Sequence, residues 1–325
     1  MSILLIAALG VLVTTNQPSA ATNSAQPGPT PPALQSTQAV EVEYEKLMAE
    51  DDAAQKEVDQ WIRDNNEFAA QGAGVPKATL NRRILERFQP IRKAYEEFIR
   101  RHPEHVQARL AFGSFLGDLH EDDAAREQWE KALALDPKNP AAYNNLANVY
   151  THDGPVTKAF EYYAKASELN PLEPLYYHNL GDTVYAFRHD AKEYYGLTND
   201  QQVYDKALAL YEKALRLDPQ NFPYASEVAQ TYYAIKPLRA DEALRAWTNA
   251  LSLAHDELER EGVYLHFARL KMVAGRFAEA WQHVSAVTNG NYTDLKVRLV
   301  KNLEAQEKEA KGTNSVAVPA TVRGK

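Results

Sequence analysis

From Thr79 to Arg101 the apolar residues Leu80, Ile84, Phe88, Ile91, Tyr95 and Phe98 recur at threes and fours. That spacing lines one face of a helix. His102-Pro103 ends it, because proline cannot continue a helix and restrains the residue before it. Upstream, YEKLMAEDDAAQKEVDQWIRDNNEF (44–68) is helical in residue type, with Val58, Trp61 and Ile62 on one face. Gln71-Gly72-Ala73-Gly74 breaks that run.

Beyond residue 105 the pattern becomes periodic. EKALALDPKNP at Glu130–Pro140 returns weakly as AKASELNPLEP from Ala164 and closely as EKALRLDPQNFP from Glu212. The steps are 34 and then 48 residues, so one unit carries 14 extra. The second half of each unit holds Ala, three residues, a large ring, two residues, Ala. It occurs as Ala125/Trp129/Ala132, Ala159/Tyr163/Ala166, Ala207/Tyr211/Ala214 and Ala243/Trp247/Ala250. Spacings of four and seven place all three on one helical face. The alanines let a neighbouring helix approach and the ring fills the gap, so these rings read as core rather than as a cofactor box. First halves pair a large residue with a tiny one: Phe112-Gly113, Leu146-Ala147, Leu180-Gly181, Val228-Ala229 and Phe267-Ala268. Pro137, Pro171 and Pro219 stop three of the second helices.

These residues resemble the tetratricopeptide repeat family, whose 34-residue unit reads W-x2-L-G-x2-Y, then A-x3-F, then P. Units at 106–139 and 140–173 match in length, 174–221 matches with the insertion, and 222–260 and 261–294 lack the closing proline. A degenerate opening unit is expected within 40–105, with a capping helix at 295–311 and a disordered tail at 312–325. The resemblance implies an all-α, right-handed helical-hairpin solenoid in which each unit packs only on its neighbours.

The 14 extra residues lie in AFRHDAKEYYGLTNDQQ. Gly196-Leu197 breaks a helical run, and Thr198 to Gln201 has the form of a capping box. The reading is an elongated hairpin projecting from the array, with Tyr194 and Tyr195 as a secondary contact site.

In the family, the first helices line a concave face. The resemblance then places Ser114 and Asp118; Asn144, Asn148 and His152; His178, Asp182 and Tyr185; Ser226, Gln230 and Tyr233; and Leu265, Arg269 and Met272 on that face. Asn145 and Asn179 resemble two rungs of the asparagine ladder that holds a bound peptide's backbone, a ladder broken by Glu227 and His266. The basic residues of a carboxylate clamp are missing. A polar and aromatic inventory of this kind suits an extended peptide or helix of a partner protein.

Composition narrows this further. A net charge of −8 leaves no basic footprint for nucleic acid. With no cysteine there is no disulfide framework, thiol nucleophile or thiolate metal site. There is no G-x-S-x-G, no H-E-x-x-H and no phosphate-cradling glycine loop, so no catalytic, cofactor or metal site is expected. Ile3–Val13 is an apolar run of 11 residues, too short to span a bilayer. With Ser19-Ala20-Ala21 after it, residues 1–21 read as an export signal without a basic start, and 22–39 as a Pro/Ser/Thr-rich linker. The resulting expectation is a non-enzymatic scaffold for a protein or peptide, exported to the periplasm or outside the cell if residues 1–21 are a genuine signal and cytoplasmic otherwise, whose membrane association, where present, is indirect. Two alternatives stand beside it: an assembly factor of a membrane or envelope complex, and an enzyme or glycan-binding protein using His178 and Asp182.

Overall fold

The computed structural model describes residues 32–316, with side chains from 37 to 311. Among the described residues there are fourteen α-helices and no strand. The chain divides into two compact units, one ending at Asn145 and one beginning at Leu146.

The first unit opens with α1 (Pro32–Ala70) and α2 (Lys77–Arg101). α1 begins inside the segment read as linker. Proline is tolerated at a helix start, and the Ala-Leu-Gln that follows propagates well. The two helices run antiparallel, tied by Arg87 to Glu57 and Arg101 to Glu43. Phe88, Ile91, Tyr95 and Phe98 are buried, as their spacing predicts. Tyr95 stacks on Phe112 with centroids 5.2 Å apart and donates its hydroxyl to buried Asp51 at 2.6 Å. Phe112 belongs to α3 (Val106–Asp118), which pairs with α4 (Asp122–Leu135).

In that pair the small-beside-large pattern explains itself. A Cβ on Gly113 would stand 2.4 Å from Trp129 Nε1, so only glycine admits the indole there. The indole then donates to the Leu110 carbonyl at 3.2 Å, and Ala125 and Ala132 flank it with no exposure.

Next come α5 (Pro140–His152), α6 (Val156–Leu169), α7 (Pro174–Ala186), α8 (Arg188–Tyr195) and α9 (Asp200–Leu217). The Asp-Pro-x-Asn punctuation works as a two-sided cap. Pro137 and Pro219 bar continuation of α4 and α9. Asn139 Oδ1 then accepts from Ala142 N at 3.1 Å, and Asn221 Oδ1 from Tyr224 N at 3.0 Å. Each asparagine also donates to the aspartate that ends the preceding helix, Asp136 or Asp218. One four-residue motif closes a helix and opens the next.

The insertion departs from expectation. It does not lengthen α7 into a projecting hairpin. α7 stops at Ala186, and the extra residues form the separate α8. Ala191 is fully buried, and Tyr194 and Tyr195 set their rings 5.3 and 5.4 Å from Phe160 of α6. An apolar face two residue types wide was available on α8, and α6 supplies a place to bury it. Tyr195 is thus half-buried packing, while Tyr194 stays exposed. Gly196 takes a left-handed φ of 65° to end α8. The cap of α9 lies one residue past the Thr198 expected: Asn199 Oδ1 accepts from Gln202 N at 3.0 Å, and Gln202 Oε1 accepts from Thr198 N at 2.7 Å.

The chain continues through α10 (Phe222–Thr231), α11 (Ala240–Leu253), α12 (Glu257–Val273), α13 (Phe277–Ser285) and α14 (Thr293–Val316). α12 starts four residues before the repeat boundary at 261, because Asp256 caps it by accepting from Glu259 N at 2.8 Å. α14 is the expected cap, longer at both ends than 295–311. Its Leu299 and Leu303 close a small core with Leu265, Ala268, Met272, Ala280 and Val284. This removes Leu265 and Met272 from any open face, since α14 itself covers them. The export signal, most of the linker and residues 317–325 lie outside the described residues. No described helix is long and apolar enough to cross a membrane.

Candidate partner-binding face

The candidate residues separate by exposure. His152, Asp182, Gln230 and Arg269 are open to solvent. Asn148, His178, Asn179, Tyr185 and Tyr233 are half-buried. Asn144, Asn145 and Ser226 are buried. Asn144 donates to Asn145 Oδ1 at 3.2 Å, and both side chains are withdrawn from the surface. The asparagine ladder therefore loses the rung expected at Asn145. In the first unit Ser114 donates to its own helix at the Leu110 carbonyl, and Asp118 is exposed.

In the second unit the open residues gather on α7, α10 and α12. His178 of α7 lies with its ring 4.9 Å from Tyr224 of α10, and Tyr233 just past α10 sets its hydroxyl 3.1 Å from His266 Nδ1 of α12. The three first helices thus present neighbouring faces. α14 closes this face at its far end.

The second helices also shape it. Gly181 leaves room for the Tyr211 ring, which a Cβ there would meet at 2.8 Å. The ring passes this gap and its hydroxyl donates to Asp182 Oδ1 at 2.8 Å. One unit earlier, Tyr163 passes Ala147 and donates to Asn148 Oδ1. The repeat rings are core, as their spacing implies, but two of them carry a hydroxyl that positions a face residue. The available signal was tyrosine in place of a plain hydrocarbon ring, because a buried phenol needs a partner.

Around these anchors the face is aromatic and charged by turns. His178 Nδ1 is 3.6 Å from Asp182 Oδ2. Tyr185 packs against Tyr204 with centroids 5.4 Å apart, and the Arg188 guanidinium is 5.9 Å from the Tyr204 ring. Arg269 lies 4.3 Å above the Tyr233 ring. His266 stacks on Trp247 at 3.8 Å, and burial, helped by the charge of Arg269, pushes its imidazole down to about 4. It is therefore a neutral acceptor or donor at pH 7. Burial first, then the charge of Asp182, raises the Glu227 carboxyl above its ordinary value. Sequence reasoning set Glu227 and His266 aside as breaks in a ladder and passed over Tyr204 and Tyr224. Their places become visible only when adjacent units are stacked.

The geometry offers recognition more readily than chemistry. Among the described residues no three His, Asp or Glu side chains are grouped to hold a metal. Asp182 has one oxygen engaged by Tyr211 and the other near His178.

Comparison with known proteins agrees with the repeat reading. Residues 118–154 match a model described as TPR repeat, and residues 140–171 and 201–221 match a model described as tetratricopeptide repeat. No curated protein matches the chain. Among solved structures, PilW, a widely conserved type IV pilus biogenesis factor, is 15% identical with a TM-score of 0.51 over 75% of this chain and 97% of its own. PilF of Pseudomonas aeruginosa is 17% identical with a TM-score of 0.49 over 80% and 99%. YrrB, a TPR protein with an unusual peptide-binding site, is 15% identical with a TM-score of 0.47 over 68% and 99%. At such identities the likeness is one of fold.

Proposed function

We propose that this chain, which carries tetratricopeptide repeats, works as a protein–protein interaction scaffold that takes an extended segment of a partner across the face of α7, α10 and α12. One observation carries the reading. On that face, side chains with donors, acceptors and π surfaces are held in place by residues of neighbouring elements while remaining at least partly exposed. Asp182 fixed by Tyr211, Tyr185 backed by Tyr204, and Tyr233 between His266 and Arg269 are the instances. Such preorganised anchors lower the ordering cost of binding and suit a segment that brings its own backbone amides.

The test is selection from a displayed peptide library on the full chain, repeated with Tyr185→Ala/Gln230→Ala/Arg269→Ala. Selected peptides are expected to bind the variant at least about tenfold more weakly, which corresponds to ~1.4 kcal/mol. Equal binding by both would remove this face from the account.

A second reading, an assembly factor working within an envelope complex, draws on the apolar run Ile3–Val13 and the small-x-small triplet Ser19-Ala20-Ala21. Those same residues support export. The two readings are compatible, since a scaffold can serve an envelope assembly through the same face.

A further inference from the structure

Asp182 and Glu227 bring two carboxylates to the border of α7 and α10. Asp182 keeps half of its side chain in solvent while Tyr211 fixes one oxygen. Glu227 is partly buried, and its carboxylate has no hydrogen bond or ion pair among the described residues. The charges acting on it are those of Asp182 and His178, with no lysine or arginine among them. Two other carboxylates withdrawn from water are matched, while Asp118, raised to about 6 by burial, has no lysine or arginine acting on it. Glu261 accepts from the backbone of Thr288 and Asn289, and Glu121 is paired with Arg92. An unpaired, partly desolvated carboxylate beside a second one is an unfavourable arrangement that a cation relieves.

The surroundings favour a cation on an alkyl stem. Tyr224 closes one side through its contact with His178, and Tyr185 stands one turn beyond Asp182. Aromatic rings flank a methylene stem well and attract its charged head. On the turn that carries Glu227, Ser226 is nine-tenths buried and its hydroxyl has no partner. It stands at the register on α10 that His178 occupies on α7. Resting on the reading of this face as a binding surface, we propose that the Asp182–Glu227 stretch receives the side chain of a lysine or arginine carried by the bound segment. An apolar or acidic residue at that place would leave Glu227 unpaired, so the pair selects against it as well as for a base.

The probe is a set of random peptide pools of about ten residues, long enough to lie extended over two repeats, with one position fixed as Lys, Arg, norleucine or Glu. On the full chain, Lys and Arg pools are expected to be retained about tenfold above norleucine pools at one fixed position. In Glu227→Gln that preference falls to about twofold or less. Glu168→Gln removes the same charge from the exposed flank of α6 and is expected to keep the preference, which separates local pairing from the overall negative charge. Circular dichroism melting follows the fold, and Asp182→Asn, on a half-exposed side chain, is the second variant should Glu227→Gln melt early. The proposal is overturned by retention without preference for base, by a preference that survives both variants, or by one lost equally in Glu168→Gln. Pools that bind without regard to charge yet are lost in Tyr185→Ala/Gln230→Ala/Arg269→Ala leave the face in place and remove only the cation subsite. Pools indifferent to that triple variant, or no retention at all, remove both.

Discussion

Trp129→Ala lowers the stability of the first unit by about 3–5 kcal/mol, the range for truncating a buried tryptophan in a core that cannot collapse around the gap. The indole is only 7% exposed. It sits over Gly113, between Ala125 and Ala132, and spends its one donor on the Leu110 carbonyl. None of these neighbours can fill the space: a glycine and two alanines have no side chain to move. Trp129→Phe keeps most of the ring but loses the hydrogen bond, and is expected to cost about 1–2 kcal/mol. In a repeat array each unit leans only on its neighbours, so the loss should be confined to the first unit. Denaturant unfolding followed by circular dichroism measures it. A Trp129→Ala curve within ~0.5 kcal/mol of wild type, the size of an ordinary surface change, would mean that the ring is not core.

Acidification from pH 7 to pH 4 weakens the second unit by about 3 kcal/mol through His266 alone. The folded imidazole titrates near 4, against 6.5 for the free side chain. Each unit of displacement is worth ~1.4 kcal/mol. The sign follows from proton counting. Between these two values the unfolded chain holds the proton and the folded chain does not, so stability falls as pH falls. Above 6.5 both states are neutral and nothing changes. Below about 4 both are charged and the loss is complete. His283 is lowered in the same direction by its own burial. Glu279 is held down to about 2 by Arg276 and Lys271, so its loss comes in a more acid window. His266→Gln should flatten the stability profile between pH 6.5 and 4. Parallel profiles for wild type and variant, or an imidazole resonance of His266 titrating near 6.5, would contradict this.

Much of this fold is written in local sequence. The Asp-Pro-x-Asn motif marks where one helix ends and the next begins. The Ala-x3-ring-x2-Ala motif fixes which face is buried, and Gly113 and Gly181 sit where a ring must pass. The parts that were not legible depend on contacts across units. α8 folds back because Phe160, far from it in sequence, offers Tyr194 and Tyr195 a surface. Leu265 and Met272 follow the face register, yet α14 covers them. Asn144 and Asn145 read as groove residues by register but are buried against each other. Asp182 was legible from its spacing to His178. Its orientation by Tyr211 was not, since that bond spans 29 residues. Glu227 illustrates the limit most clearly: its meaning lies in having Asp182 beside it and no lysine or arginine acting on it.

The central claim is that a partner segment lies on α7, α10 and α12. Hydrogen exchange of the full chain, with and without a peptide from the library selection, tests it most directly. The account predicts added protection in 174–186, 222–233 and 257–273, with α4 and the α1–α2 hairpin unchanged. Protection centred on α8, on α1 and α2, or on the outer second helices, with these three segments unaltered, would contradict it.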